Sequence, residues 1–240
     1  MIYHVLPGDA QVQEFIESGL EGKSIVCREA LIDGPIDAED LHEFWEQRAR
    51  FVVAAHGSDE IEYHDKVAGE LIQLTELESD DEVNLWFEYE LFCSVNMWFC
   101  LWLIAETEAT VYRVEPIGLD VEKRWDGFGF FDADDLRACA ELRTKLTAED
   151  IKLGSDLWNA YRHPDHTTLR ELAKTESGAF PYLAEVTAAA IDQDIEPLEV
   201  VRSITAGGET DFAKIFAEFK KRAGVYGYGD TQVQKLLDSR

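Results

Sequence analysis

Four short apolar runs set the terms for how this chain can fold. "IYHVL" (2–6), "SIVCREALI" (24–32), "VNLWFE" (83–88) and "TVYRVEP" (110–116) read as strands, and helical spacing separates them. Val12, Phe15, Ile16 and Leu20 fall on one helical face before turns at Gly19 and Gly22. Leu41, Phe44, Trp45, the stem of Arg48 and Val52 form a second stripe. A third helix is expected from about Ser58 to Leu77, with Val67, Leu71 and Leu74 inward. "LFCSVNMWFCLWLIA" (91–105) is apolar nearly all round and predicts a buried central helix from about Glu90 to Ala105. Strand, helix, strand, helix is the pattern of a parallel sheet, because parallel neighbours need a crossover and crossovers are right-handed. The expected fold is therefore α/β: a small, mostly parallel sheet, Rossmann-like, with helices on both faces.

The second half changes character. "DVEKRWDGFGFFDADD" (120–135), rich in Gly, Asp and aromatic residues, reads as a linker or flap. Everything beyond it reads as helix. Thr147 and Asp150 have the spacing of a capping box, continued by Leu153, Leu157 and Tyr161. Thr210 or Asp211 can cap a helix striped by Phe212, Ile215, Phe216 and Phe219, and "GVYGYGD" (224–230) turns the chain into a last helix. The expected organisation is an α/β layer over residues 1–118, a linker or flap with a helix over 119–146, and a helical domain over 147–240. A winged-helix reading of 197–240 would take "GVYGYGD" as a hairpin; the Phe stripe reads more simply as core.

Composition narrows the partners. The net charge is −27, from 49 acidic and 22 basic residues. Such a field repels nucleic-acid phosphates and anionic membrane surfaces, so neither is an expected partner. The exception is 210–240, with six basic and four acidic residues. The 91–105 run falls short of the ~20 residues of a membrane span, and Ser94 and Asn96 interrupt it. No basic-then-apolar leader pattern is seen at Met1. Cys27, Cys93, Cys100 and Cys139 form no CxxC pair and read as small buried hydrophobes in a reducing, cytoplasmic setting.

In open α/β sheets, ligands bind beyond the carboxyl ends of the strands. Those ends carry Gly8 and Asp9; Glu29, Asp33 and Gly34; Glu88 and Glu90; and Glu115, with His4 inside the first strand. His4, Gly8, Asp9, Glu29, Asp33, Gly34, Glu88 and Glu90 form the candidate set for a small ligand. Carboxylates gathered at one rim could hold a divalent cation or a cationic substrate, and one of them could be pushed into service as a general acid. The competing reading is capping, which suits Asp9, Asp37 and Glu90. Glu29 either faces solvent at its strand end or is held buried at a cost. "HPDH" (163–166) reads as a turn. No Walker loop, GxGxxG, GxSxG or HExxH motif is present, and "GFG" (127–129) is too short for a phosphate cradle.

"HVLPGDA", "IVCREALIDGP", "NLWFEYELFCSVNMWFCLWLI", "RWDGFG" and "VYGYGDTQV" together resemble the bacterial family catalogued as domain of unknown function eighteen thirty-five. The likeness covers most of the first ~130 residues, about the size of one α/β unit, and extends to the C-terminal end. It implies emphasis on the strand ends and brings no activity with it. Two functions follow as expectations: a small-ligand site, enzymatic or not, at the sheet rim, or a regulatory or interaction protein whose helical C-terminal part contacts a macromolecule.

Overall fold

The structure is a computed structural model and describes residues 1–57 and 59–239. Ser58, where the third helix was expected to begin, and Arg240, counted in the basic tail, lie outside the described residues.

Five strands form one sheet in the order β2-β1-β3-β4-β5. They are β1 (Ile2–Leu6), β2 (Lys23–Val26), β3 (Glu82–Trp86), β4 (Thr110–Val114) and β5 (Thr144–Lys145). β1 to β4 pair in parallel; β5, too short to be seen in the sequence, adds antiparallel to the edge of β4. The strand order reverses at β1, which lies between β2 and β3, and this places a switch point at the carboxyl ends of β1 and β3.

Alternation along the strands sorts two cores. Leu6, Trp86 and Val114 face α1 (Val12–Ser18) and, further along the chain, α6 (Ala133–Glu141), with Phe15, Leu136 and Cys139. Val5, Ile25, Val83, Leu85 and Val111 face the other way. That larger core takes in α2 (Leu41–His56), α3 (Glu60–Tyr63), α4 (Gly69–Leu71) and α5 (Leu91–Ile104). The fold is thus α/β with helices on both faces, as the alternation required. A π-helical turn, His64–Ala68, and a 3-10 turn, Ile72–Thr75, break the long third helix that had been expected.

The C-terminal part is helical: α7 (Ala148–Arg162), α8 (His166–Leu172), α9 (Leu183–Asp192), α10 (Glu196–Thr205), α11 (Phe212–Ala223) and α12 (Asp230–Asp238). Its apolar residues Leu157, Trp158, Phe219, Tyr226 and Val233 belong to the same continuous core as the sheet's larger face. α5 is buried between the sheet and α7, which explains its unbroken hydrophobicity; Gly154 of α7 leaves room for Leu101. Its two polar interruptions have partners: Ser94 donates to the Tyr89 carbonyl (3.0 Å) and Asn96 to the Glu29 carbonyl (2.7 Å). No described helix is long and apolar enough to cross a membrane.

Several boundaries moved. The second strand ends at Val26, not Ile32, because the chain leaves the sheet there and buries Cys27 and Leu31 in a loop. α2 is capped by Asp40 and not by Asp37, which pairs with His163 at 3.0 Å. The capping box of Thr147 with Asp150 and the Asp211 cap form as expected. "GVYGYGD" makes a 3-10 turn (Gly224–Tyr226) leading into α12, so the wing hairpin is overturned.

Candidate functional site

The switch point opens into a cavity of about 430 Å³. Pro7 and Gly8 from the end of β1, Glu14 from α1, and Glu88, Glu90 and Cys93 from the β3–α5 turn line it. The rest comes from distant segments: Phe128, Gly129 and Phe131 of the flap, and Gly227, Gly229 and Gln232 at the start of α12. No Lys or Arg among the described residues lines it.

Glu90 caps α5, accepting from the Cys93 backbone N–H through both carboxylate oxygens (3.1 and 3.2 Å). The expected cap therefore forms, yet its side chain is only 4% exposed and also faces the cavity. Burial, and then the neighbouring charge of Glu88, push its carboxyl up to about 8. Glu88 accepts from the Phe128 N–H (2.6 Å), and burial raises its carboxyl as well. The Cys93 thiol lies 3.9 Å from Glu88. A cysteine in the first turn of a helix is ordinarily acidified. Here burial, Glu90 and Glu88 push the thiol the other way, so it is no thiolate nucleophile. Glu14 adds a third carboxylate with one buried oxygen, Oε2, that has no hydrogen-bond partner.

Two left-handed glycines let the chain close on these carboxylates. Gly127 (φ 63°) packs on Glu88, where a Cβ would overlap the carboxyl group. Gly227 (φ 67°) packs on Glu90, where a Cβ would lie 2.7 Å away. The motifs "RWDGFG" and "VYGYGD", a hundred residues apart, thus converge on one pair of side chains. A second cavity of about 210 Å³ shares Glu88, Glu90, Gly227 and Gly229 and continues between Trp125, Phe216, Phe219 and Tyr228.

The donor atoms of Glu88, Glu90 and Cys93 lie within 4.8 Å of one another. Two carboxylates and a thiol form a donor set for a borderline divalent ion, with its remaining positions open to the cavity. A carboxyl raised to about 8 by burial and then by the neighbouring charge of Glu88, as Glu90 is, is equally a proton donor near neutral pH.

Of the expected set, Gly8, Glu88 and Glu90 come together here. The others do not. His4 is 3% exposed inside the sheet, not at the rim. Its Nδ1 accepts from the Trp86 indole N–H (3.1 Å), leaving Nε2–H to donate to the Glu21 carbonyl (3.1 Å); burial lowers its pKa and keeps it neutral. Asp9 caps nothing, since neither Asp9–Gln11 nor α1 has a side-chain cap. It points to solvent and pairs with Arg28 at 2.9 Å. Glu29 is buried against Arg48 (2.6 Å), and the Tyr63 hydroxyl donates to it. Asp33 pairs loosely with Lys235 (3.4 Å), and Gly34 (φ 81°) makes way for Phe51. Glu115 lines a separate cavity of about 290 Å³ with Arg124, and burial raises its carboxyl.

The reading by residue missed Glu14, Cys93, Gln232 and the flap. Cys93 had one available signal, its place three residues after a capping carboxylate. Glu14 and Gln232 had none, because only the fold brings α1 and α12 to the switch point. Compared with protein-family models, curated proteins and solved structures, the chain matches none.

Proposed function

We propose that the protein binds a small, positively charged ligand in the rim cavity, with Glu88 and Glu90 as the recognising groups. One observation carries this reading: two carboxylates, one of them almost wholly buried, face a cavity at the switch point that no Lys or Arg among the described residues lines, and the lysine of the adjoining cavity, Lys220, is paired with Asp126. Burying a carboxyl without an ion-paired counter-charge is costly, and Glu90, raised to about 8, holds a proton in its place. A cation would displace that proton. Glu14 and the −27 net charge add to the attraction. The same proton could serve acid catalysis on a bound ligand. The four buried free cysteines suit a reducing compartment, and we place the protein in the cytoplasm.

The alternative, a macromolecular contact through the basic C-terminal helices, has less behind it. Lys214, Lys220 and Arg222 of α11 pair with Glu209, Asp126 and Glu218. Nucleic acid is accordingly no part of the proposal.

The test is calorimetry at pH 7 with Mn²⁺, Zn²⁺ and methylammonium, run in buffers of different ionisation enthalpy. Binding should release close to one proton, and Glu90→Gln should abolish it. A ligand at a hundredfold over its Kd should add about 2.7 kcal/mol of stability. Absence of any Glu90-dependent cation binding would sink the reading.

A further inference from the structure

We propose that the ligand is an organic ammonium ion carried on a single flat ring, its nitrogen between Glu88 and Glu90 and its ring in the aromatic compartment behind them. This rests on the small-cation reading above and narrows its class.

The carboxylate pair forms a wall between two cavities. The larger, at the strand ends, holds the polar groups; the smaller, about 210 Å³, is walled by Trp125, Phe216, Phe219 and Tyr228. A cavity of about 150 Å³ takes a benzene molecule, so the smaller one accepts a six-membered ring with a short substituent. Two of its wall residues, Phe219 and Tyr228, stack on each other with centroids 6.1 Å apart and planes 13° from parallel, forming one continuous aromatic wall. Aromatic faces favour both a stacked ring and a nearby cation. Lys220 also lines the compartment, but its charge is held against Asp126 at 3.8 Å. Gly227 is what leaves Glu90 open on this side, because any Cβ there would press on the carboxyl group.

The Cys93 thiol separates an ammonium from a bare metal ion. Two N–H···O bonds of about 2.8 Å leaving one nitrogen at the tetrahedral angle span about 4.6 Å. The donors here lie within 4.8 Å of one another, a limit that an ammonium bridging two carboxylates meets. A tetrahedral metal would draw its ligands to roughly 3.5 Å apart and would need the Cys93 thiol stripped of its proton. A ring-bearing amine also fills both compartments, which a metal does not.

The test uses the intact chain at pH 7.5 and four probes: benzylamine, methylamine, benzyl alcohol and Mn²⁺. Benzylamine should bind at least about tenfold more tightly than methylamine, from the buried ring. Benzyl alcohol, isosteric but neutral, should bind at least about tenfold more weakly than benzylamine. Phe216→Ala should bring benzylamine down to the methylamine level and leave methylamine unchanged; Phe216→Leu, which keeps the wall apolar without the ring, replaces it if the alanine variant does not fold. Glu90→Gln should abolish both amines. Benzylamine binding no tighter than methylamine, or unaffected by loss of the Phe216 ring, overturns the proposal. If Mn²⁺ binds through Glu90 and amines do not compete, the small-cation reading stands and this inference falls. If no probe binds, both fall.

Discussion

Glu29 and Glu90 follow two parallel strands of one sheet, and both are buried, at 2% and 4% exposure. They differ in what answers them. Glu29 meets the Arg48 guanidinium, itself 0% exposed, together with the Tyr63 hydroxyl and the Ala30 N–H. Arg48 goes on to donate to the carbonyls of Asp33 (2.6 Å) and Ala30 (3.3 Å), and so fixes the loop between β2 and α2. Glu90 meets the Cys93 backbone N–H and thiol, another carboxylate and a cavity; it forms no ion pair among the described residues, and the buried Arg113 is the smallest of the influences on its carboxyl. Burial alone therefore does not mark a functional carboxylate. The presence or absence of a packed counter-charge is what sets Glu90 apart in the proposed reading, because only a group without an ion-paired partner keeps an unspent attraction for something outside the protein.

The largest effect should come from Glu29→Gln, which strands the Arg48 charge in the core. A loss of about 3–5 kcal/mol in urea unfolding is expected, much of it recovered when Arg48 is also replaced by Met. A loss below about 1 kcal/mol would erase the contrast between the two sites.

Gly227→Ala should cost about 2–3 kcal/mol, from a left-handed backbone and the Cβ placed against Glu90. It should also remove the cation response. An unchanged midpoint in thermal unfolding would mean that the loop does not close on Glu90.

The pH dependence sharpens the comparison. The Glu90 carboxyl is raised from 4.5 to about 8, so between those values the folded state keeps a proton that the unfolded chain has lost. Its contribution to stability is present below about pH 4.5 and declines as pH rises towards about 8, by at most about 1.4 kcal/mol per unit. Glu90→Gln should flatten this limb of the urea-midpoint profile, and bound cation should oppose it. His4, with its pKa lowered from 6.5, works on the acid side, where stability falls as pH drops below about 6.5. A profile unchanged by Glu90→Gln would count against the raised carboxyl.

Asp9→Asn should do least. The pair with Arg28 is exposed, and its loss should change stability by less than about 1 kcal/mol and leave cation binding as it was. A lost cation response would put Asp9 back in the site.

Much of this protein was legible in its sequence. β1 is found at 2–6 as expected; β3 and β4 agree to within about two residues, and α5 follows its Glu90 cap as expected. Apolar period and capping chemistry are local, and a strand–helix alternation leaves one class of fold. What failed was whatever depends on a partner far along the chain. "SIVCREALI" is apolar enough for a long strand, but Arg48 and Asn96 tie its second half into a loop. β5 exists only because β4 offers it an open edge. The candidate site divides in the same way. The sequence by itself put Gly8, Glu88 and Glu90 at strand ends, since strand ends are set by local pattern. Tertiary structure alone decided which carboxylate received a counter-charge, and it brought Glu14, the Gly127 flap and the Gly227 turn to the switch point. The physical reason is that electrostatic partnership and cavity shape are properties of groups close in space, and in this chain those groups are contributed by α1, α5, the flap and α12.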